Sequence, residues 1–227
     1  RHDLPAMARA CDARAGLAYV CNPNNPTGTV VRGDEMLAFL ARVPPATAVV
    51  VDEAYHHFVE DPGYASAVEL IGRKPNVVVA RTFSKIYAMA GLRLGYAVCA
   101  EANAKALARQ ASWNNVNAAA LSIALALLAD PDLVAAQRQR FNDTKRWLSG
   151  ELDRDRRRSI PSQANFVMID VGRDVGPVIG AFQEKKILVG RKFPSMASWL
   201  RVSIGTREQV QAFLEALRQI VPARAAA

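Results

Sequence analysis

With 227 residues, 51% hydrophobic and 22% charged, the chain has the composition of an ordinary soluble globular protein, long enough for a sizeable core and for two domains. No apolar run reaches the roughly 20 residues of a membrane-spanning helix. The longest, Val116 to Ala129, is rich in alanine and broken by Asn117 and Ser122, which suits a buried helix better than a bilayer. The net charge of +8 raises nucleic acid as a partner, but the densest basic run, Arg154 to Arg158, contains Asp155 and no aromatic residue. A solvated connection is expected there, and the basic balance suits anionic small molecules.

From the amino end, Leu4, Met7, Ala8 and Cys11 recur at helical spacing, which predicts a helix over Asp3 to Asp12. A strand, Gly16 to Cys21, runs into Asn22-Pro23-Asn24-Asn25-Pro26-Thr27-Gly28, where two prolines, three asparagines and a glycine force a turn. A helix follows from Gly33 to Val43, with Glu35 near its start and Pro44-Pro45 at its end. The strand Ala48 to Val51 ends in Asp52-Glu53-Ala54-Tyr55. A carboxylate buried at that end costs several kcal/mol unless a cation or donors satisfy it; otherwise the strand end is solvated.

After a short helix over Ala65 to Ile71, the run Val77 to Ala80 reads as a fully buried parallel strand. Thr82, Ser84 and Lys85 then emerge at its carboxyl end, where open α/β sheets bind ligands. A lysine there can bond to an aldehyde while two hydroxyls and Arg93 hold an anion, whereas Ser-Lys alone is an ordinary surface pair. Leu94 to Cys99 is a further strand. Helices are expected over Ala102 to Ala111, Val116 to Ala129, and from Asp130-Pro131, a cap and first-turn pair, to Leu152.

A smaller α+β unit closes the chain. Strands are expected over Asn165 to Asp170, Ile187 to Val189 and Trp199 to Ile204, and helices over Val175 to Lys185 and Arg207 to Val221. Thr206 and Gln209 form a capping-box pattern for the last helix. Arg201 lies inside an apolar strand, so a carboxylate partner is expected, from the protein or from a ligand. Cys11, Cys21 and Cys99 lack paired spacing and are expected to be reduced and buried, as in a cytoplasmic protein. His56 and His57 are adjacent and without further ligands near them in sequence, so no metal site is expected.

Three segments carry a family resemblance: Asn25-Pro26-Thr27-Gly28, Asp52-Glu53-Ala54-Tyr55, and Thr82-Phe83-Ser84-Lys85 with Gly91-Leu92-Arg93-Leu94-Gly95-Tyr96. Together with Leu200-Arg201-Val202-Ser203-Ile204-Gly205-Thr206, they resemble the fold-type I, class I and II aminotransferases, and among these most nearly the histidinol-phosphate aminotransferases of histidine biosynthesis. The resemblance extends over essentially the whole chain, with roughly the first third of the family pattern absent. It implies an α/β fold: a PLP-transferase large domain, mostly parallel sheet with helices on both faces, over residues 1–135, and a small C-terminal α+β domain over 136–227. It implies pyridoxal 5'-phosphate as cofactor, with Lys85, Asp52 and Tyr55 as catalytic residues. Asn25, Asp52, Tyr55, Thr82, Ser84, Lys85 and Arg93 would bind the cofactor, and Arg201 and Arg191 the substrate. A small amino acid or amino phosphate is the implied substrate and a homodimer the implied assembly, with no nucleic acid and no membrane. The same cofactor residues serve aminotransferases for aromatic or other amino acids and phospho-amino-acid decarboxylases, and a non-catalytic module or inactive fragment would retain them too.

Overall fold

Four apolar runs become one sheet in the computed structural model, which describes residues 1–112 and 115–222. The strands are β1 (Leu17–Cys21), β2 (Ala48–Asp52), β3 (Val77–Thr82) and β4 (Gly95–Cys99), in the order β1-β2-β3-β4. β1, β2 and β3 run parallel, and β4 is antiparallel to β3. The register pairs Cys21 with Asp52 and Asp52 with Ala80, so β1 and β2 finish level and β3 runs two residues further, to Thr82. Val20, Val49, Val51, Val77 and Val79 are wholly buried, packed with Leu4 and Ala8 of α1 (Leu4–Ala10) and with Met36, Phe39 and Leu40 of α2 (Gly33–Arg42). β3 differs from the expected strand buried on both faces: Val77 and Val79 are buried, while Val78 and Ala80 are half-buried.

Local chemistry sets the helix ends. Asp3 accepts the Ala6 N–H and starts α1. Beyond β4 come α3 (Glu101–Ala108) and α4 (Ala118–Leu128), the latter capped by Asn117 on the Ala120 N–H. The expected burial of α4 holds for Ala120 and Ala124, which pack with Leu127 on Phe83, Met89 and Leu94, but not for Leu121, Leu125 and Leu128. Asp130 accepts the N–H groups of Asp132 and Leu133, and α5 (Leu133–Arg154) begins at Leu133. Pro131 therefore precedes the first turn instead of occupying it.

By contact the chain divides into two units, Arg1–Asn25 with Thr29–Ala136, and Pro26–Gly28 with the residues from Gln137 onward. The second holds an antiparallel sheet of β5 (Ser159–Ile160), β6 (Phe166–Asp170) and β7 (Trp199–Ser203), with α6 (Val175–Glu184) and α7 (Arg207–Ile220). Its core joins Leu148 and Leu152 of α5 to Val167, Ile169, Leu200, Leu214 and Leu217, with Phe182 stacked on Phe213 at 5.2 Å. Thr206 and Gln209 exchange the two bonds of a capping box. The expected strand over Ile187 to Val189 is not formed. Ile187 N–H turns back to the Phe182 carbonyl, Leu188 stands in solvent, and only Gly190 reaches β7, its N–H donating to Arg201 O at 2.8 Å.

The basic run is solvated at Arg154, Arg156 and Arg158, as expected, and Arg157 is the exception. Arg157 is buried and donates to Val221 O, while Arg173 donates to Ile220 O, so two guanidiniums satisfy carbonyls that the end of α7 leaves open. Of the cysteines, Cys21 is buried and Cys11 and Cys99 are half-buried; all three are free thiols. Among the described residues no single helix is long and apolar enough to cross a membrane.

Candidate active site

The carboxyl ends of β1, β2 and β3 gather most of the expected side chains. Asp52 closes β2, half-buried, and its two oxygens are held by different donors: Ala54 N–H at 2.9 Å and the Tyr19 hydroxyl at 2.5 Å. Tyr19 stands on β1 two residues before Cys21, the register partner of Asp52. Side chains two apart share a strand face, so Tyr19 and Asp52 meet on one side of the sheet. Burial, then the Asp52 hydrogen bond and charge, push the Tyr19 phenol well above its ordinary range and keep it a donor.

Tyr55 is buried just beyond β2, and the Lys85 ammonium lies 5.3 Å from the centroid of its ring. That contact bridges the loops after two neighbouring parallel strands. Thr82 shapes the lysine loop, since its hydroxyl donates to Leu94 O at 3.3 Å and accepts the Ser84 N–H at 3.0 Å. Arg93 sits in the left-handed region, φ 54°, where a side chain costs about 1 kcal/mol or more, and one of its terminal nitrogens donates to Ala90 O. Phe83, Tyr87, Tyr96 and His57 form a run of ring contacts beside the loop.

Asn25 is exposed in the turn after β1. The turn is braced by a residue that sequence reasoning passed over. Asn22 is buried, and its amide donates to Val31 O at 3.0 Å and accepts Val31 N–H at 2.8 Å. A buried asparagine with both ends of its amide engaged fixes where the turn begins. The Asn22–Pro23 peptide bond is cis.

The His56 and His57 rings lie 3.7 Å apart, tilted by 42°. Among the described residues no group of three or more His, Cys, Asp or Glu side chains is placed to hold a metal ion. Burial first, then the charges of His57 and Arg81, push the His56 imidazole down to about 3. Its ordinary value is near 6.5, so between about pH 3 and 6.5 the unfolded chain binds a proton that the folded chain refuses. The His56 contribution is therefore complete above about pH 6.5 and is lost as the pH falls through that window. Denaturation midpoints at pH 7 and pH 4.5 should differ less for His56→Phe than for the wild type. An equal acid loss in both proteins would remove His56 from the account.

In the second unit, the Arg201 guanidinium lies 5.1 Å from the Phe166 ring centroid and 5.6 Å from that of Phe193. Both aromatic faces favour a cation in a partly buried setting. Arg191 lies 4.4 Å from the same Phe193 ring. One buried phenylalanine thus gathers both arginines singled out in the sequence, and nothing in the sequence pointed to Phe193.

The sequence pattern of the family described as "Aminotransferase class I and II" matches residues 1–217. The chain belongs to this family of aminotransferases. The histidinol-phosphate aminotransferase of Symbiobacterium thermophilum is 44% identical over 218 residues, 95% of this chain and 60% of that protein. That of Moorella thermoacetica is 40% identical over 224 residues, 97% of this chain and 58% of that protein. The crystal structure of histidinol-phosphate aminotransferase from Sinorhizobium meliloti in complex with pyridoxal-5'-phosphate superposes with a TM-score of 0.90 at 26% identity, over 99% of this chain and 62% of that one. The chain thus spans about three-fifths of the length of these relatives.

Proposed function

We propose that the chain carries the cofactor site of a pyridoxal-phosphate-dependent aminotransferase of the histidinol-phosphate type, working in the cytoplasm as a homodimer. It would move an amino group between an amino donor and a 2-oxo acid or a phosphorylated ketone. The observation that carries the reading is the Lys85 amine against the Tyr55 ring, with Asp52 at the end of the adjoining strand. The donor set fits the group. Pyridoxal phosphate presents an aldehyde, a ring nitrogen, a ring oxygen and a phosphate, and the residues offer an amine, a carboxylate, a phenol with an amide, and two hydroxyls with a guanidinium.

Bound there, the cofactor supplies an electron sink for the carbon that bears the substrate's amine. The chain's own residues do the rest. Asp52, its carboxylate oriented by Tyr19 and Ala54, holds a proton on the ring nitrogen. Tyr55 and Asn25 donate to the ring oxygen, and Thr82, Ser84 and Arg93 hold the phosphate. Lys85 would hold the aldehyde carbon and, once the substrate's amine had taken its place there, would carry a proton with its freed amine. Visible absorbance of the whole protein with pyridoxal phosphate, and its loss on adding an amino donor, test the assignment; no visible band would end it.

Arg201 and Arg191 are read as the substrate's anion sites. Histidinol phosphate bears a dianionic phosphate, which can engage two guanidiniums, whereas a carboxylate is satisfied by one bidentate arginine. Arg201→Ala should lower kcat/KM both for histidinol phosphate and for an uncharged aromatic amino acid. Arg191→Ala should lower it for the phosphorylated substrate alone. A lost charge-assisted hydrogen bond of roughly 1.5 to 3 kcal/mol corresponds to about a ten- to hundred-fold change. Equal losses on both substrates for Arg191→Ala would show that it supports the fold and does not read the phosphate.

A further inference from the structure

Glu53 follows Asp52 and Arg81 precedes Thr82, so strand alternation turns both away from the face on which Asp52 meets Tyr19. There they meet each other. The Glu53 carboxylate is buried, with 1% of the residue exposed, and accepts Arg81 Nε at 3.1 Å, Arg81 Nη2 at 2.9 Å and Ala67 N–H at 2.7 Å. The Ser66 hydroxyl adds contacts at 3.0 and 2.9 Å to the two oxygens, and itself accepts Arg81 Nη2 at 2.9 Å. Burial opposes the Arg81 charge, but Glu53 and Tyr96 more than offset it.

The placement of this cluster is informative. The β2–β3 register ends at Asp52 and Ala80, and the last backbone link is Glu53 N–H to Ala80 O at 2.9 Å. Beyond it β2 leaves the sheet towards Tyr55, while β3 stays paired with β4 through Arg81 and Thr82 before its chain turns towards Lys85. A buried ion pair often stabilises no more than apolar side chains of the same volume, so stability alone is a weak account of it. What it does supply is direction, because a planar guanidinium with two bonds to one carboxylate oxygen and a third to Ser66 fixes where each loop departs.

We propose that Glu53 and Arg81 are positioning residues. Their buried pair sets the spacing at which β2 delivers Asp52 and Tyr55 and β3 delivers Lys85, an inference that rests on reading those three as the cofactor's residues. Neither Glu53 nor Arg81 touches the face that would receive the cofactor.

Three variants of the whole protein test this: Arg81→Met, which leaves Glu53 buried without its cation; the neutral double variant Glu53→Gln with Arg81→Met, which retains an oxygen for the Ala67 N–H; and Arg81→Lys. Two readouts are needed. The first, without cofactor, is the pH midpoint of Lys85 acylation followed by mass spectrometry. The second, with cofactor, is kcat and KM. Arg81→Met should lower Tm, and the double variant should recover it. In the double variant the Lys85 midpoint should nevertheless stay displaced by about one pH unit. Its kcat should stay about ten- to a hundred-fold down with KM little changed. Arg81→Lys, which keeps the charge and loses the fork, should fall between it and the wild type. A double variant with wild-type Tm and a wild-type Lys85 midpoint overturns the proposal. Should that variant fold poorly, an unshifted midpoint in Arg81→Lys overturns it as well. A wild type with no visible band would sink the proposed function, while the acylation comparison would still decide on the clamp.

Discussion

Borohydride reduction of the Lys85→Ala protein with pyridoxal phosphate should leave no pyridoxyl group on the chain, whereas the wild type should carry it on Lys85. The same substitution should lower kcat by about 10⁴-fold, the upper end of what one positioned proton-transfer group supplies, and by more if the covalent anchor contributes separately. Folding should scarcely change. Lys85 is half-buried in a loop, and its contact with the Tyr55 ring is worth about 0.5–1 kcal/mol. Peptide mapping of the reduced wild type decides the matter, and a pyridoxyl group on another lysine would displace the site.

A second large effect is expected in association. In α4 Ala120 and Ala124 face inward with Leu127 packed beside them, whereas Leu121, Leu125 and Leu128 are 48%, 70% and 55% exposed. These three recur at i, i+4 and i+7, one continuous face of the helix. Covering a few hundred Å² of it yields several kcal/mol at about 25 cal/mol per Å², enough to drive self-association of the 227-residue chain by itself. Sedimentation velocity should show species larger than the monomer. The triple variant Leu121→Gln, Leu125→Gln, Leu128→Gln should shift them towards monomer. A wild-type chain that sediments as a monomer at all soluble concentrations would show that the face is tolerated bare.

What the sequence disclosed was whatever a short stretch decides for itself. The runs of valine announced β2 and β3, Asp3 and Thr206 announced their helices, and the three family segments singled out Asp52, Tyr55, Lys85 and Arg93 as candidates. What it withheld was pairing at a distance. Tyr19 reaches Asp52 because β1 and β2 align in one register out of several that the residues allow. Glu53 and Arg81 are 28 positions apart, and each alone reads as an ordinary charge beside a strand. Ile187 to Val189 has a strand's apolar character, but a strand also needs partners for its amides, and the Ile187 amide went back to α6. Arg157 sits in a run that looks solvated, and only the end of α7 makes it a buried donor.

Gly190 bears on how the two arginines could diverge under selection. A methyl group built on it would lie 2.7 Å from Arg201 O and 3.0 Å from Arg201 Cβ, so any larger residue pushes the loop away from β7. In a library randomised across this loop, codons at 190 should collapse to glycine, while 191, exposed and held through a ring, can drift. With the two arginines reading anions as proposed above, a lineage changing its preferred anion would rewrite Arg191 first and leave Arg201 and its glycine neighbour as inherited hardware.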